Sequence, residues 1–499
     1  MQIIRLALFI LTLFLLQQGF PVHALAAEQA DTEQKVAQAE SPGVLMFSPP
    51  ADQPREAGAA ALPKTIDLSG IVELKTALDT RKTADFEHTR MLRNRIRLES
   101  RWTPDIYPAE AATPTNLFFL ASVQSDYLWF GPDNKTDDYY LELFEGFMHW
   151  SRFPWEIRLG RQRVRWGKAD GISPVDNLNP HDLREFLLPE IEERKLPNWM
   201  ARIRHFSDWF TLEGVYIPFF EPPRLDYFGT DWAMFGHLKQ ILRQSPLPPE
   251  LQAQVDHLSV TENKPPRRLT TGDWGIRTAR TFDGWDVAAS YLYAWEKMPH
   301  VLNNPLTHLA SDTFSPHPPT LPPTRAGSGI DGIDVEYRRS SIFGLEMETT
   351  ANGFGLRGEG AYFDRRSFLT RDLVSMDKAV LHYVLGVDYL GEQDWYVNLQ
   401  FGHHVVFGYD PEILYWNRHD YSVNGEISKE FWRGNIEAVF RYYYNIRDKS
   451  VMLNPHLVLR YFQNWELTLG LDFFEGGSDT FLGQYRNNDQ IYCIIRYYF

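Results

Sequence analysis

The sequence predicts an all-β fold, a transmembrane up-and-down antiparallel β-barrel of about 18 strands (16–18). Three observations carry this expectation. From Ile66 onward the dominant hydrophobic period is two, which is the period of a strand and not of a helix. The links between the periodic segments alternate between short turns and long loops, as a meander with one turn rim and one loop rim requires. Aromatic residues make up 14% of the 499 residues, a composition suited to wide sheet surfaces and interfacial girdles.

At the amino terminus, Arg5 precedes an apolar run from Leu6 to Leu16, and small residues follow at Ala24, Ala26 and Ala27. This pattern reads as a secretory signal peptide over residues 1–26. The run is shorter than the roughly 20 apolar residues of a membrane helix. Residues 27–65 are rich in Ala, Gln, Glu and Pro and are expected to form a disordered periplasmic lead-in ahead of a barrel over 66–499.

Strands are expected near 66–78, 88–102, 116–130, 138–150, 155–166, 199–206, 210–218, 272–282, 284–296, 331–350, 353–365, 378–390, 394–408, 418–431, 434–447, 451–462, 465–475 and 488–499. In the first, Ile66, Leu68, Val72, Leu74 and Leu78 share a face opposed by Asp67, Ser69, Glu73 and Lys75. In the second, Leu92, Ile96, Leu98 and Trp102 oppose Arg93, Arg95, Arg97, Glu99 and Arg101. Wholly apolar faces also recur later, at Leu381, Tyr383, Leu385, Val387 and Tyr389 and at Trp395, Val397, Leu399 and Phe401. Links after even-numbered segments are mostly tight, such as Asp283-Gly284, Asn352-Gly353 and Arg433-Gly434. The long links 167–198, 219–271 and 297–330 follow odd-numbered ones. Short turns are expected in the periplasm and long loops outside the cell. The last segment ends on Tyr497 and Phe499, similar to the terminal strand by which the barrel assembly machinery recognises its clients.

A formal net charge of -15 argues against a nucleic-acid coat. The single cysteine, Cys493, excludes an intramolecular disulfide and any Cys-based metal site. No HExxH, G-x-S-x-G, P-loop or Rossmann pattern is present, so no catalytic residues, no cofactor and no metal are expected, and the protein is not read as an enzyme.

The clearest constellation is cationic. With the apolar face of the second strand toward lipid, Arg93, Arg95, Arg97 and Arg101 project into the lumen, joined by Arg158. Such guanidinium groups repel unless carboxylates or an anionic solute lie between them. The alternative is structural pairing with Glu73, Glu99 or Glu142. A second cluster, Arg161, Arg163 and Arg165 beside Trp166, would face lipid by strict parity with Ile157 and Leu159. Arginines there are costly, so a bulge near Gly160 or departure from the membrane is expected to set them at the mouth. The insert that follows carries Asp170, Asp176, Asn179 and Asp182, and a short amphipathic stretch from Leu183 to Leu188. It is the leading candidate for a constriction, with its carboxylates docked on the arginines; an ordinary surface loop is the alternative. The segment Asp231 to Leu258 is partly helical in pattern and a candidate cap.

The segment 159–182, through Gly160, Arg161, Gln162, Trp166, Gly167, Asn179, Pro180 and Asp182, resembles the G-R-Q-x-x-x-W-G segment with downstream N-P-x-D of a proteobacterial family of outer-membrane barrels of unknown function. It resembles the alginate-export porins more distantly. A second short region of similarity is Phe354 to Glu359. The resemblance implies a porin-like barrel of about 18 strands. In the alginate case it implies an arginine-lined lumen that conducts a polyanion outward.

Together these readings give an outer-membrane pore or export channel for anionic small molecules or polymers. Its expected partners are outer-membrane lipid, the barrel assembly machinery, the anionic solute and a periplasmic transport component; nucleic acid is not among them. The second reading is a plugged barrel that serves as a docking scaffold or as an exit for hydrophobic cargo from a periplasmic transport system. The third is an outer-membrane hydrolase.

Overall fold

The computed structural model describes residues 66–81, 90–104, 115–131, 136–236, 258–303 and 332–499. The expected signal peptide and lead-in, and most of the segment 231–258, lie outside the described residues.

The chain builds β1 (Ile66–Asp79), β2 (Arg90–Trp102), β3 (Asn116–Gly131), β4 (Thr136–Arg152), β5 (Trp155–Gln162), a four-residue helix α1 (Ile191–Arg194), β6 (Asn198–Phe206) and β7 (Thr211–Ile217). It continues with β8 (Val260–Asn263), β9 (Asp273–Phe282), β10 (Trp285–Trp295), β11 (His300–Asn303), β12 (Ile333–Glu336), β13 (Arg339–Ala351), β14 (Phe354–Leu369) and β15 (Ser375–Gly391). The last six are β16 (Trp395–Val406), β17 (His419–Phe431), β18 (Ile436–Asn445), β19 (Val451–Leu459), β20 (Trp465–Glu475) and β21 (Gln490–Tyr498).

Eighteen of these strands form one antiparallel sheet that closes on itself, with β1 paired both to β2 and to β21. This is the predicted fold class. The expected strand 331–350 divides into β12 and β13, and β12 leaves the wall to form a small sheet with β8 and β11 among the long links. The expected strand 155–166 ends earlier, at Gln162. Leu183 to Leu188 forms turns and no helix.

Closure places Phe499 against the first strand. Gly70 N–H donates to Phe499 O at 2.9 Å, and Phe499 N–H donates to Gly70 O at 3.1 Å. The ring of Phe499 covers Gly70 so closely that a Cβ there would sit 2.5 Å from ring carbon Cζ. Tyr497, on the same outward face, stacks on Phe499.

The two faces of the wall have opposite chemistry. Outward positions include Leu68 (77% exposed), Leu141 (67%) and Leu345 (67%), together with the apolar faces on β15 and β16. Such a continuous exposed apolar belt around a closed sheet is stable only against lipid, so the barrel spans a membrane. Inside, the half of the lumen nearer the long links is packed with apolar side chains. Val215, Ile217, Leu292, Ile342, Phe363, Val380 and Val406 of the wall meet Val164, Trp166, Val175 and Leu178 of the link after β5. Leu128, Phe130 and Phe474 meet Phe186, Trp232 and Tyr485 in a second cluster. The half nearer the tight turns is lined by charged and polar residues. The core of the protein is therefore inside the barrel.

Candidate functional site

The link between β5 and β6, residues 163–197, does not leave the barrel. It turns inward, and Gly160 is the cause. In β5, Trp155 and Leu159 face lipid while Glu156 is buried inside. At Gly160 the backbone takes φ +138, and a Cβ would lie 2.2 Å from Gly146 O on β4, so only glycine fits. This bend is the break in parity expected near Gly160, but it leads the chain inward and not to the mouth. Arg161 turns in to donate from Nε to Phe144 O at 3.2 Å and from its guanidinium to Glu142 at 3.3 Å. A register shift in β3–β4 beside Phe144 turns both Phe144 and Glu145 toward the lumen. Glu145 then accepts from both the backbone N–H (3.0 Å) and the guanidinium (3.0 Å) of Arg163. Arg165 pairs with Glu192 at 3.2 Å. The second cationic cluster thus neither faces lipid nor lies free at a mouth; it anchors the root of the insert.

Asn179 zips the two ends of the insert together. Its carbonyl oxygen accepts from Val164 N–H at 2.9 Å, and its amide donates to Gln162 O at 3.2 Å and Leu196 O at 2.9 Å. Trp166 is buried, and its indole N–H donates to Glu213 at 2.7 Å. Asp176 pairs with Lys195 at 2.6 Å within the insert.

From that neck the insert crosses the lumen and is held on every side. Asp182 accepts from Arg93 of β2 at 2.8 Å. Glu185 accepts from Arg93 at 2.6 Å and from Lys75 of β1. Arg184 donates to Asp126 of β3 at 2.8 Å. On the far wall, Glu359 of β14 accepts from the backbone N–H groups of Lys168 (2.5 Å) and Ala169 (2.9 Å), and Asp170 accepts from Arg357 of β14 at 2.8 Å and Asn398 of β16 at 2.9 Å. Glu190 accepts from Arg441 of β18 and Glu193 from Arg496 of β21, each at 2.6 Å. The two short regions of resemblance meet here: Arg357 and Glu359 of the second hold Lys168, Ala169 and Asp170, just past Gly167 of the first.

The insert's carboxylates hold their charge against burial. Burial alone raises the Asp182 carboxyl, but the guanidiniums of Arg184 and Arg93 outweigh it and hold the group far below the usual carboxylate range. Burial likewise opposes Glu185 and Glu190, which Lys75 with Arg93 and Arg441 respectively bring below their ordinary value. Asp170 differs: burial prevails over Arg357 and raises it. His181 is pushed down to about 3 by burial and then by Arg194 and Lys195, so it is neutral at physiological pH.

The arginine ladder divides. Arg93 is 3% exposed and shares Asp126, Asp182 and Glu185. Arg95 pairs with Glu73 at 3.3 Å. Arg97 instead donates to Gln124 at 2.6 and 2.9 Å and lies 3.8 Å over the Phe144 ring, and Arg101 lies 4.0 Å over Phe118. Arg158 donates to His149 at 3.0 Å, with Glu156 at 3.5 Å. Thus Arg97, Arg101 and Arg158 line the turn-rim half below the insert. A cavity of about 420 Å³ opens from this half toward the turns, lined by Lys168 of the insert, lumen-facing Arg204, Arg277 and Glu346, and Ser207 to Phe210. Among the described residues, no group of three or more His, Cys, Asp or Glu side chains is arranged to hold a metal ion.

The sequence reading missed Lys75, Asp126, Arg184, Glu185, Glu190, Glu193, Arg441 and Arg496. The signals present were the polar face of the first strand, which holds Lys75, the expectation that the insert's carboxylates dock on the arginines, and the resemblance at Phe354 to Glu359, which contains Arg357 and Glu359 without saying what they hold.

The family described as Protein of unknown function (DUF1302) matches residues 133–499, and the chain belongs to it. Among curated proteins, none matches significantly. The chain is similar to the crystal structure of OccAB4 of Acinetobacter baumannii, with 11% identity and a TM-score of 0.49 over 87% of this chain and 98% of that one. It is also similar to OpdL of Pseudomonas aeruginosa, with 10% identity and a TM-score of 0.44 over 87% and 98%.

Proposed function

We propose that this member of the DUF1302 family is a transport barrel of the Gram-negative outer membrane that admits small anionic solutes from the periplasm and is closed at rest by its own insert. The observation that carries the reading is the set of ion pairs fixing residues 163–197 to strands all around the lumen. The turn rim is periplasmic and the loop rim external, as in outer-membrane barrels. A solute entering from the periplasm meets Arg97, Arg101 and Arg158, whose guanidiniums are half-buried and rest on aromatic rings or polar side chains. A polymer of the alginate kind needs a continuous lumen, which the insert interrupts, so small solutes suit the geometry better.

The apolar packing of the loop-rim half favours one second reading, a plugged barrel that docks a periplasmic transport component. Catalysis is not part of either reading. Lipid of the outer membrane and the assembly machinery, addressed through Tyr497 and Phe499, are the remaining proposed partners.

The test is single-channel recording of the purified full chain in a planar bilayer under a salt gradient. The expected result is near-silence for the natural chain and anion-selective steps when residues 168–194 are replaced by a short Gly-Ser linker. Large open steps from the natural chain would overturn the closed state. Cation-selective steps from the linker variant would overturn the role given to the arginines, and continued silence would favour the docking reading.

A further inference from the structure

The barrel wall is not equally tall around its circumference. β3 and β4 have 16 and 17 residues, whereas β5, β6 and β7 have 8, 9 and 7. A strand needs about 9–11 tilted residues to cross the hydrocarbon layer. β4 pairs with β3 from Ser151 to Thr136, but with β5 only between Arg152 and Gly146. Among the described residues, the other edge of β4 from Thr136 to Glu145 has no strand partner.

This free edge lies at bilayer depth. Its outward residues are Tyr139 (60% exposed), Leu141 (67%) and Leu143 (40%), as apolar as the rest of the belt. An open edge of backbone donors and acceptors facing lipid is not tolerated unless protein or a polar ligand covers it. Side chains cover its lower end, where Arg161 reaches Phe144 O and Glu145 takes Arg163 N–H. Behind the edge, lumen-facing Glu142 forms a latch. It accepts from Arg161 at 3.3 Å and from Arg224, on the link after β7, at 2.5 Å. Arg224 N–H in turn donates to His181 O of the insert at 3.0 Å.

We infer that this notch is a lateral passage between the lumen and the outer leaflet, and that its ligand is a single-chain anionic amphiphile of the fatty-acid class. The chain lies against Leu141 and Leu143, and the anionic head takes the place of the Glu142 carboxylate between Arg161 and Arg224. This route rests on the reading of the protein as a transport barrel closed at rest, and it explains how a barrel whose loop-rim half is packed solid releases cargo.

The experiment uses the full chain in phosphatidylcholine nanodiscs with a diazirine-tagged sixteen-carbon fatty acid as the probe, photolysed and mapped by mass spectrometry. Label is expected on outward Leu141 and on lumen-facing Glu142 and Arg161. On the two-sided wall of β15 and β16 it is expected on outward Leu385 alone. Glu142→Gln keeps an acceptor but removes the negative charge between Arg161 and Arg224, and is expected to raise the lumen-facing label about tenfold, which corresponds to roughly 1.4 kcal/mol. Arg224→Gln breaks the same latch from a link outside the wall, so it serves if the strand variant fails to assemble. Lumen-facing residues that stay unlabelled in the natural chain and in whichever variant folds overturn the passage. Conductance recorded on the same preparations separates the two readings. Large open steps with lumen label remove the closed state and leave the lateral route, whereas silence without lumen label removes the lateral route alone.

Discussion

Replacing Arg93 by methionine keeps the stem of the side chain but removes the cation that Asp126, Asp182 and Glu185 share at 2.6–2.8 Å. Asp126 and Asp182 retain Arg184, and Glu185 retains Lys75, so the carboxylates are under-compensated without being orphaned. Breaking a buried ion-pair network by removing one partner costs about 3–5 kcal/mol, and the retained partners place this case near 3. Only the part of that cost that docking of the insert recovers biases its release. Asp182 and Glu185 leave with the insert whereas Asp126 stays on the wall, so that part is about 2 kcal/mol and the released population rises roughly thirtyfold. The contrasting change is Asp170→Asn, whose side chain is 37% exposed against Arg357. Solvent screening there limits the effect to about 1 kcal/mol or less, a several-fold change. The assay is the open probability of single channels in planar bilayers, with limited proteolysis of residues 163–197 as an independent report. Equal effects from the two substitutions, or no effect from Arg93→Met on a correctly assembled barrel, would refute the claim that buried ion pairs hold the insert.

Three further outcomes are expected. Arg97→Gln with Arg101→Gln, made in the linker variant, should move the reversal potential toward the cation side, whereas an unchanged potential removes both residues from the solute's path. Gly160→Ala should lower the yield of heat-modifiable folded barrel, because its Cβ meets Gly146 O at 2.2 Å, and strain of this kind costs on the order of 1–3 kcal/mol; a normal yield would disprove the demand for glycine. Burial pushes Glu296, just past β10, up to about 7 against the pull of Arg366, and both of its oxygens accept from Ser367 N–H. Its folded value lies above the ordinary carboxyl value of about 4.3, so stability at this link is fully present below that value and is lost as pH rises toward 7. Hydrogen exchange over residues 296–303 should therefore quicken across that window, and Glu296→Gln should abolish the pH dependence.

The wall was legible in the sequence strand by strand. Alternation along Ile66 to Leu78, or along Leu381 to Tyr389, assigns each side chain to lipid or lumen without knowledge of any partner. The breaks in that alternation were the hard places. At Gly160 the sequence signalled a break, since strict parity would set arginines in lipid, but not where Arg161 goes beyond it, because its partners Glu142 and Phe144 O lie on another strand. Residues 331–350 read as one strand because Ile333 and Val335 alternate as well in a small cap sheet as in the wall. The ladder arginines share one face of β2, yet their surroundings diverge: Arg93 meets three carboxylates, whereas Arg97 meets an amide and a ring.

By itself, then, the sequence determined the closed sheet, its strand count and the chemistry of its two faces, because a period of two is written within a few residues. The direction of the insert, the partners of its carboxylates and the unequal height of the wall were decided only by the tertiary structure. Arg93 and Asp182 are 89 positions apart and Lys168 and Glu359 are 191, and distances of that kind are set by closure of the barrel. Charge favours any arginine with any nearby carboxylate; closure selects which ones come near.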